Sequence, residues 1–471
     1  MKRYSFFLFL FLLTRLASAQ ERISLDAVIA KGLANNFDVN ITKLSLDAAK
    51  LNNNWGQAGR YPTVNLIVNN NNNIVKRKPA NPFAVAGRNI SDNINGQLDI
   101  QFTLFDGFAV NIRKERLEKL EALSAGNATF VMENAVQQMI LGYYTVLLEK
   151  ERLQVLRTNL DFSKERYNYV KLRKDLGSAI TFDVLQEQNN YLTDSANVLR
   201  QEINFKNAVR NLNELINEDL NKQYIFSDSL YFDQQTYNYE DLRAKMASAN
   251  TNLRNQFINQ ELLRNALAQQ RALQSPTVSL NLGATGSLDR LNAQFRPVSG
   301  GIEEKNTIGF LGDDPNQPVI QTRFKPEYQT QTGDSYGLFG NIGIRWTLFN
   351  GRQIKRAIET AEIQEKIGSM TTDQLKLALE NDLMANFDIY SLRMQLVKIS
   401  ETKFKAAQLN LTLANERYKN GALSAIDLRI VQENFRNAAL ENYTAIFEAL
   451  QTQTDLVRIT GGLLLDNQRP D

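Results

Sequence analysis

The sequence predicts a mixed α/β membrane protein built from two copies of one unit, each with a pair of strands and a pair of long helices. The segment Thr103–Gly107 (TLFDG) returns as Thr347–Gly351 (TLFNG), and an R-x3-G-x5-D motif at Arg173 returns at Arg417, both offset by 244 residues. In each copy, the glycines of the two motifs lie 70 positions apart. Because loops change length more readily than packed elements, this constant interval indicates continuous regular structure.

The first residues have the pattern of a secretory signal peptide. Lys2 and Arg3 precede an apolar run from Tyr4 to Leu13, and an Ala-Ser-Ala cleavage site ends at residue 19. The apolar run is shorter than a membrane span requires, so a transmembrane helix is the less favoured alternative. We expect residues 1–19 to be removed. An exported chain of 471 residues without cysteine is typical of a bacterial envelope.

Composition excludes several classes of function. Lys2, Arg3 and Arg15 fall in the predicted signal, which leaves 51 basic and 51 acidic residues and no charge excess for binding nucleic acid. The chain has no His and no Cys, so the common zinc sites and the Ser-His and Cys-His catalytic pairs are absent. We expect no catalytic residue, no metal site and no cofactor, since an enzyme would have to rely on Asp and Glu alone.

Four segments alternate between apolar and polar residues with a period of two. The apolar positions are Val64, Leu66 and Val68; Leu98, Ile100, Phe102 and Leu104; Val278, Leu280 and Leu282; and Leu338, Ile342, Ile344, Trp346 and Leu348. Segments of about 8–12 residues suit tilted membrane strands, and partners such as Asp99 and Arg345 suit a water-filled lumen. Half-exposed strands of a soluble protein are the alternative. Four strands cannot close a membrane barrel, so several chains would have to share one.

The connection within each strand pair is expected to be long and exposed. The first contains Asn69–Asn73, which predicts a solvated loop, with an aggregation-prone tract as the alternative. The second covers about 50 residues, from Ala284 to Ser335. Pro62 and Pro276 precede the strand pairs, where proline resists helix continuation.

A seven-residue apolar period predicts that the long intervals are packed helices. The first copy shows it at Met139, Val146, Leu153, Leu160 and Tyr167, and the second at Leu383, Tyr390, Val397, Phe404 and Leu411. This period is typical of coiled-coil packing, and 70 helical residues span roughly 100 Å. A cytosolic rod is the alternative, which the signal peptide and the strand pairs disfavour.

Glycines mark the ends of these helices. Gly107 and Gly351 are expected at strand-to-helix transitions, and Gly177 and Gly421 where each long helix reverses, because glycine tolerates a left-handed conformation. The expected caps of the returning helices are Ser178, Thr181 and Ser424, with Asp183 and Asp427 in the first turn.

The expected organisation follows the duplication. After the signal peptide, the first repeat covers residues 20–235, with a strand hairpin at about 62–105 and a helical hairpin at about 107–215. The second covers residues 236–471, with a strand hairpin at about 277–349, a helical hairpin at about 351–460 and a short tail.

Over essentially the whole processed chain, these features resemble the TolC-like outer-membrane efflux proteins, or outer-membrane factors. The resemblance rests on the duplicated order of helix, strand pair and helical hairpin, the L-F-[DN]-G segments and the R-x3-G-x5-D-[VL] signatures. It implies a homotrimer with a twelve-stranded outer-membrane β-barrel, four strands per chain. A long α-helical coiled-coil barrel would continue that barrel through the periplasm of a Gram-negative bacterium.

The resemblance also implies a function and partners. The chain would be the passive exit duct of a tripartite efflux or type I secretion system. It would contact outer-membrane lipid, a periplasmic adaptor (membrane fusion) protein and an inner-membrane transporter of the resistance-nodulation (RND) or ABC class, and no nucleic acid. A trimeric coiled-coil structural or adhesive protein anchored in the outer membrane is the alternative, disfavoured because the strand pairs are internal.

The resemblance assigns roles to the helix turns. The expected adaptor-docking tips are Gly177, Ser178, Ala179, Ile180 and Thr181, and Gly421, Ala422, Leu423, Ser424 and Ala425. The expected periplasmic gate consists of Asp427, Ile430, Tyr418 and Asp183. Asp427 matches an acidic ring position of the family, whereas Ile430 stands at its second acidic position, so an apolar ring there is the alternative. Tyr418 matches a latching tyrosine, and Leu423 replaces an arginine that would pair with Asp183. Capping is the alternative role of both aspartates.

Overall fold

A computed structural model describes residues 21–78, 80, 85–312 and 314–464, and the expected signal peptide, residues 1–19, lies outside them. The helices are α1 (Leu25–Asn35), α2 (Phe37–Asn52), α3 (Ala109–Asp175), α4 (Thr181–Leu215), α5 (Tyr239–Ala249), α6 (Thr251–Ala272), α7 (Gln353–Lys419) and α8 (Ala425–Ile459). The strands are β1 (Glu21–Ile23), β2 (Thr63–Arg77), β3 (Gly87–Phe105), β4 (Tyr224–Phe226), β5 (Thr277–Phe295), β6 (Glu303–Phe310), β7 (Pro318–Phe324) and β8 (Glu327–Arg345).

The long helices have equal lengths in the two copies. Both α3 and α7 contain 67 residues, and both returning helices, α4 and α8, contain 35. The constant 70-position interval therefore corresponds to one unbroken helix of about 100 Å in each copy. Within the described residues, none of the helices is both long enough and apolar enough to cross a bilayer.

One compact unit contains residues 21–52, 118–264 and 363–464 of the described chain. Its core includes Met139, Val146, Leu383 and Tyr390, four residues of the seven-residue ladders, all at most 1% exposed. The ladder predicted from the sequence is therefore the packed side of these helices. The short strands β1 and β4 pair in parallel at the edge of this core.

The second compact unit contains residues 53–117 and 265–362 and carries a four-stranded antiparallel sheet. Its strand order is β2-β3-β5-β8, so each predicted strand pair is present and the two pairs join through β3 and β5. A separate hairpin of β6 and β7 lies between β5 and β8.

The strands are longer than the sequence predicted, and two loop assignments were wrong. Asn69–Asn73 belongs to β2 and pairs with β3, Asn69 opposite Asn95 and Asn73 opposite Ser91. The expected connection from Ala284 to Ser335 is largely strand as well, because β5 continues to Phe295 and β8 begins at Glu327. The alternation of apolar residues ends before the pairing of the strands does, because asparagine, serine and threonine residues continue the backbone hydrogen bonds between strands.

The sheet has two chemically different faces, because residues on successive positions point to opposite sides. The register places most of the predicted apolar residues of the four strands on one face. The exceptions are Leu104, which falls in a β-bulge, and Trp346 and Leu348, which follow the end of β8. The other face carries amides and hydroxyls, including Asn65, Asn69, Asn71, Asn93, Gln97, Gln101, Asn281, Ser287, Ser335 and Asn341.

Each strand pair enters its long helix through the same turn. Gly107 and Gly351 have φ of 68° and 64°, and the residue after each also has a positive φ. The preceding polar residue binds the first helical turn: Asp106 Oδ1 accepts from the Val110 amide at 3.2 Å, and Asn350 Oδ1 from the Ile354 amide at 3.5 Å. The L-F-[DN]-G motif is therefore a helix-starting turn, in which Asp or Asn accepts and Gly allows the backbone to reverse.

Candidate functional site

The candidate site comprises the two turns that join each long helix to its returning helix. Gly177 and Gly421 have φ of 77° and 73°. The amide of Ser178 donates to the Arg173 carbonyl at 2.8 Å, and that of Ala422 donates to the Arg417 carbonyl at 2.9 Å. This is the six-residue hydrogen bond of a Schellman motif. It explains the R-x3-G spacing, because the arginine backbone closes the loop that the glycine makes possible.

The returning helices begin differently in the two copies. Ser424 caps α8, since its hydroxyl accepts from the Asp427 amide at 3.1 Å and donates to the Asp427 carboxylate at 2.7 Å. In the first copy the predicted caps Ser178 and Thr181 were wrong: Ile180 occupies the cap position, and its amide donates to Asp183 at 3.3 Å.

Ser178 has a different use in the first turn. Its hydroxyl donates to the Arg173 carbonyl at 3.0 Å, so it closes the preceding helix and cannot cap the following one. Both aspartates of the signature therefore form hydrogen bonds at the start of a helix, where the helix dipole also stabilises a negative charge.

The tips expose apolar side chains. Ile180 is 64% exposed and Phe182 67%, and Ile426 lies similarly exposed at the start of α8. Ser178, Thr181, Ala422 and Ser424 are exposed, whereas Ala179, Leu423 and Ala425 are half-buried. A side chain added at Gly177 or Gly421 would meet no atom within 4 Å, so these turns have open surroundings.

A cavity of about 340 Å³ separates the two turns. Its wall includes the expected site residues Asp183, Tyr418, Gly421, Leu423 and Ser424. Asp427 and Ile430 lie outside this wall, and both are exposed. Of the four expected gate residues, Asp183 and Tyr418 therefore line the cavity, whereas Asp427 and Ile430 do not.

Tyr418 links the two helical hairpins. Its ring meets that of Tyr169 edge-to-face, with 5.7 Å between the centroids. Burial raises the pKa of the Tyr418 phenol above its ordinary value.

An ion pair that the sequence analysis did not predict joins α4 and α8. The Arg429 guanidinium on α8 donates to Asp194 on α4 at 2.6 Å, and the Ser163 hydroxyl donates to the same carboxylate at 2.7 Å. The Asp194 side chain is only 1% exposed. Burial opposes the charge of Arg429, but its hydrogen bond to Asp194 raises the pKa of the guanidinium above its ordinary value. Arg429 thus connects the two copies.

Asp194 belongs to a buried polar ladder with a seven-residue period. Glu187, Asp194 and Gln201 are all buried, and Glu187 accepts from the Arg166 side chain at 3.1 Å. The corresponding positions of the second copy are Val431, Ala438 and Ala445, all apolar. The sequence contained one signal for this ladder: polar residues recur every seven positions on α4, the same period as its apolar core residues.

Comparison with known proteins gives a family match over part of the chain. Residues 28–218 match the model of the outer membrane efflux protein family. The resemblance to outer-membrane efflux proteins is confirmed. No curated protein sequence matches the chain.

Solved structures share the fold of almost the whole chain. The CmeC outer membrane channel of Campylobacter jejuni matches with a TM-score of 0.70 at 14% identity, over 93% of this chain and 85% of that one. The outer membrane protein VceC of Vibrio cholerae gives 0.67 at 13% identity, over 93% and 96%. The open-state MtrE outer membrane channel of Neisseria gonorrhoeae gives 0.64 at 16% identity, over 93% and 89%.

These matches support an outer-membrane efflux channel rather than an enzyme, and they agree with the outer-membrane location expected from the sequence. The signatures on which the resemblance was based are now structural features: one starts each long helix and the other reverses it.

Removing Arg429 tests the link between the hairpins. Arg429→Ala leaves the buried Asp194 carboxylate without its cation, which costs about 3–5 kcal/mol for a buried pair. Arg436→Ala on the same helix is the matched control, because Arg436 is only half-buried and donates to its neighbour Asn437, an uncharged side chain. Its effect is expected within about 0.5 kcal/mol. Urea unfolding in detergent measures both, and equal effects would refute the role given to Arg429.

Proposed function

We propose that the chain forms, as a homotrimer, the outer-membrane exit duct of a tripartite export system. The observation that carries the proposal is the four-stranded sheet, with one apolar face and with β2 and β8 at its two ends. An open sheet edge has no viable state in lipid, because unpaired backbone groups find no water there. Pairing of β2 with β8 of a neighbouring copy closes both edges, and three copies supply twelve strands, within the range of membrane barrels.

The apolar face has the height of a bilayer. On one face of β8, Tyr336 precedes Leu338, Ile342 and Ile344, and Trp346 follows directly after the end of the strand. Ten residues of strand measure about 33 Å, and a tilt near 40° reduces this to about 25 Å across the membrane. Aromatic residues at both ends of an apolar band of this height are characteristic of membrane barrels. The amide-rich face then lines the lumen.

Neighbouring residues on β8 test which face meets lipid. Ile342→Arg puts a charge into the apolar band and is expected to cost about 2–4 kcal/mol, whereas Asn341→Arg points into the lumen and costs close to zero. Both residues are exposed in the single chain, so the variants differ mainly in face. Urea unfolding in lipid vesicles provides the measurement. A larger loss for Asn341→Arg would reverse the assigned faces.

Exposed helical seams support the trimer beyond the sheet. On α4, Leu185, Leu192 and Leu199 repeat every seven residues and are 56–64% exposed. On α7, Met370, Leu377 and Met384 repeat in the same way. Apolar seams with this period pack against other helices, and within one chain these positions face solvent. Neighbouring copies provide the partner helices of a helical barrel.

The hairpin tips are the docking surface for the periplasmic adaptor, which connects the duct to an inner-membrane RND or ABC transporter. Support comes from Ile180, Phe182 and Ile426, large apolar side chains exposed at the two turns. Small residues between them, such as Ala179 and Ala422, allow close approach of a partner's backbone.

Charge at the tip tests docking. Ile180→Asp is expected to abolish co-purification of the adaptor from cells that contain the complete pump, while the trimer remains in the outer membrane. Ile320→Asp is the control, because Ile320 on β7 is also about half exposed but lies in the other compact unit. Adaptor recovery that falls equally in both variants would contradict docking at the tips.

Asp427 and Ile430 are the residues proposed to line the entrance. Both are exposed in the single chain, and threefold symmetry would bring three carboxylates into one ring, where attraction for cations is strengthened. Asp427 also takes part in the Ser424 cap. The two roles are separable, since capping needs an acceptor and the ring needs a charge.

A pair of variants separates these roles. Asp427→Asn removes the charge and keeps an acceptor, so we expect weaker block of bilayer conductance by divalent cations with a small change in stability. Ser424→Ala removes the cap and keeps the charge, so we expect unchanged block and a loss of about 1 kcal/mol. Unchanged block in Asp427→Asn would leave this aspartate with capping alone.

A further inference from the structure

A cavity outside the tips has no part in the proposed duct. It measures about 670 Å³, within the range of ligand sites, and lies between α3, α4 and the segment 220–226. Its apolar wall includes Leu153, Val209, Tyr224 and Phe226, each less than a tenth exposed. The whole cavity belongs to the first compact unit.

The rim of this cavity is basic. Its charged residues are Arg157, Lys206, Arg210, Lys222 and Glu202. Glu202 accepts from Arg157 at 2.7 Å, and Lys222 forms ion pairs at its other side with Glu21 and Glu218. Across the described part of the chain, neither Lys206 nor Arg210 has a carboxylate within 4.0 Å. Two cations therefore face the opening without a matching acid.

The duplication supplies an internal comparison. The counterparts of Lys206 and Arg210 in the second copy are Leu450 and Thr454, which are buried. The counterpart of the wall residue Val209 is Gln453, and its amide donates to the Tyr237 hydroxyl at 3.4 Å.

Tyr237 belongs to the segment 228–238, which contains no helix or strand and packs against the second copy's helices. The Gln235 carbonyl accepts from the Tyr390 hydroxyl at 2.7 Å, and the rings of Phe232 and Tyr237 both meet the Tyr390 ring. The acid at its start, Asp228, accepts instead from the Tyr143 hydroxyl of the first copy at 2.8 Å. The second copy is thus covered by a mainly aromatic peptide, held through Phe232, Gln235 and Tyr237.

We propose that the open cavity of the first copy binds an extended aromatic and acidic segment of a partner protein. Apolar walls take the aromatic side chains, and Lys206 and Arg210 bind carboxylates at the rim. The cavity admits a few side chains of such a segment. That the partner is periplasmic rests on the proposed function, whereas the binding chemistry rests on the cavity.

The chain contains a suitable probe. A fluorescein-labelled peptide with the sequence of residues 228–239, DSLYFDQQTYNY, is titrated against the purified full chain in detergent and followed by anisotropy. We expect saturable binding that weakens about tenfold, or 1.4 kcal/mol, in Lys206→Glu and Arg210→Glu. Lys164→Glu is the control, because Lys164 is exposed on α3 outside the cavity. A peptide with both aspartates changed to asparagine should lose a similar factor.

Several outcomes would overturn the proposal. They are absence of saturable binding, equal affinity for the wild type and both charge reversals, or a photo-crosslinker at Lys206 that joins two copies of this chain. The last result would assign the cavity to the contact between copies. Bilayer conductance is measured on the same preparations. Conductance without peptide binding would refute the peptide site alone, and peptide binding without conductance would refute the proposed duct alone.

Discussion

The unpaired edges of the four-stranded sheet constrain the whole molecule. Hydrogen-bonding groups along β2 and β8 must be paired if the apolar face lies in a bilayer, because hydrocarbon offers them no partner. Four strands cannot curve far enough to pair their own ends. Association with identical chains is the way in which this sheet can be closed. In the proposed assembly, the exposed seven-residue seams on α4 and α7 would pack against helices of neighbouring copies.

The two copies share the same helix lengths but differ in the residues that form their helical cores. Equal helices of 67 and 35 residues place both turns at the same distance from their strand pairs along the chain. Within these helices, Glu187 and Asp194 are buried charges in the first copy, whereas Val431 and Ala438 stand at the corresponding positions of the second. A core with buried ion pairs is less tolerant of the loss of one partner than an apolar core. The duplication therefore keeps a common geometry while the two copies differ in the chemistry of their cores.

The sequence predicted the duplication, the strand pairs and the long helices, because each depends on periodicity or on glycine and proline, which act locally. It missed the strand character of Asn69–Asn73, since asparagine is common in loops and pairing with β3 decides its conformation here. It also assigned the first cap to Ser178, whose hydroxyl is held by Arg173. The Arg429–Asp194 pair joins residues 235 positions apart, and no local pattern reveals a partner at that distance.

Cross-linking between the edge strands tests the closed sheet most directly, and the chain has no native cysteine to interfere. Cysteine at Asn65 on β2 is combined with cysteine at Phe339, Gly337 or Asn341 on β8, to sample three registers. Within one chain β2 and β8 are three strand spacings apart, about 14 Å, and a disulfide cannot bridge more than about 7 Å between Cα atoms. Oxidation in outer membranes is expected to give a covalent trimer for at least one pair. Monomers alone in all three, with both thiols open to labelling, would contradict the shared barrel.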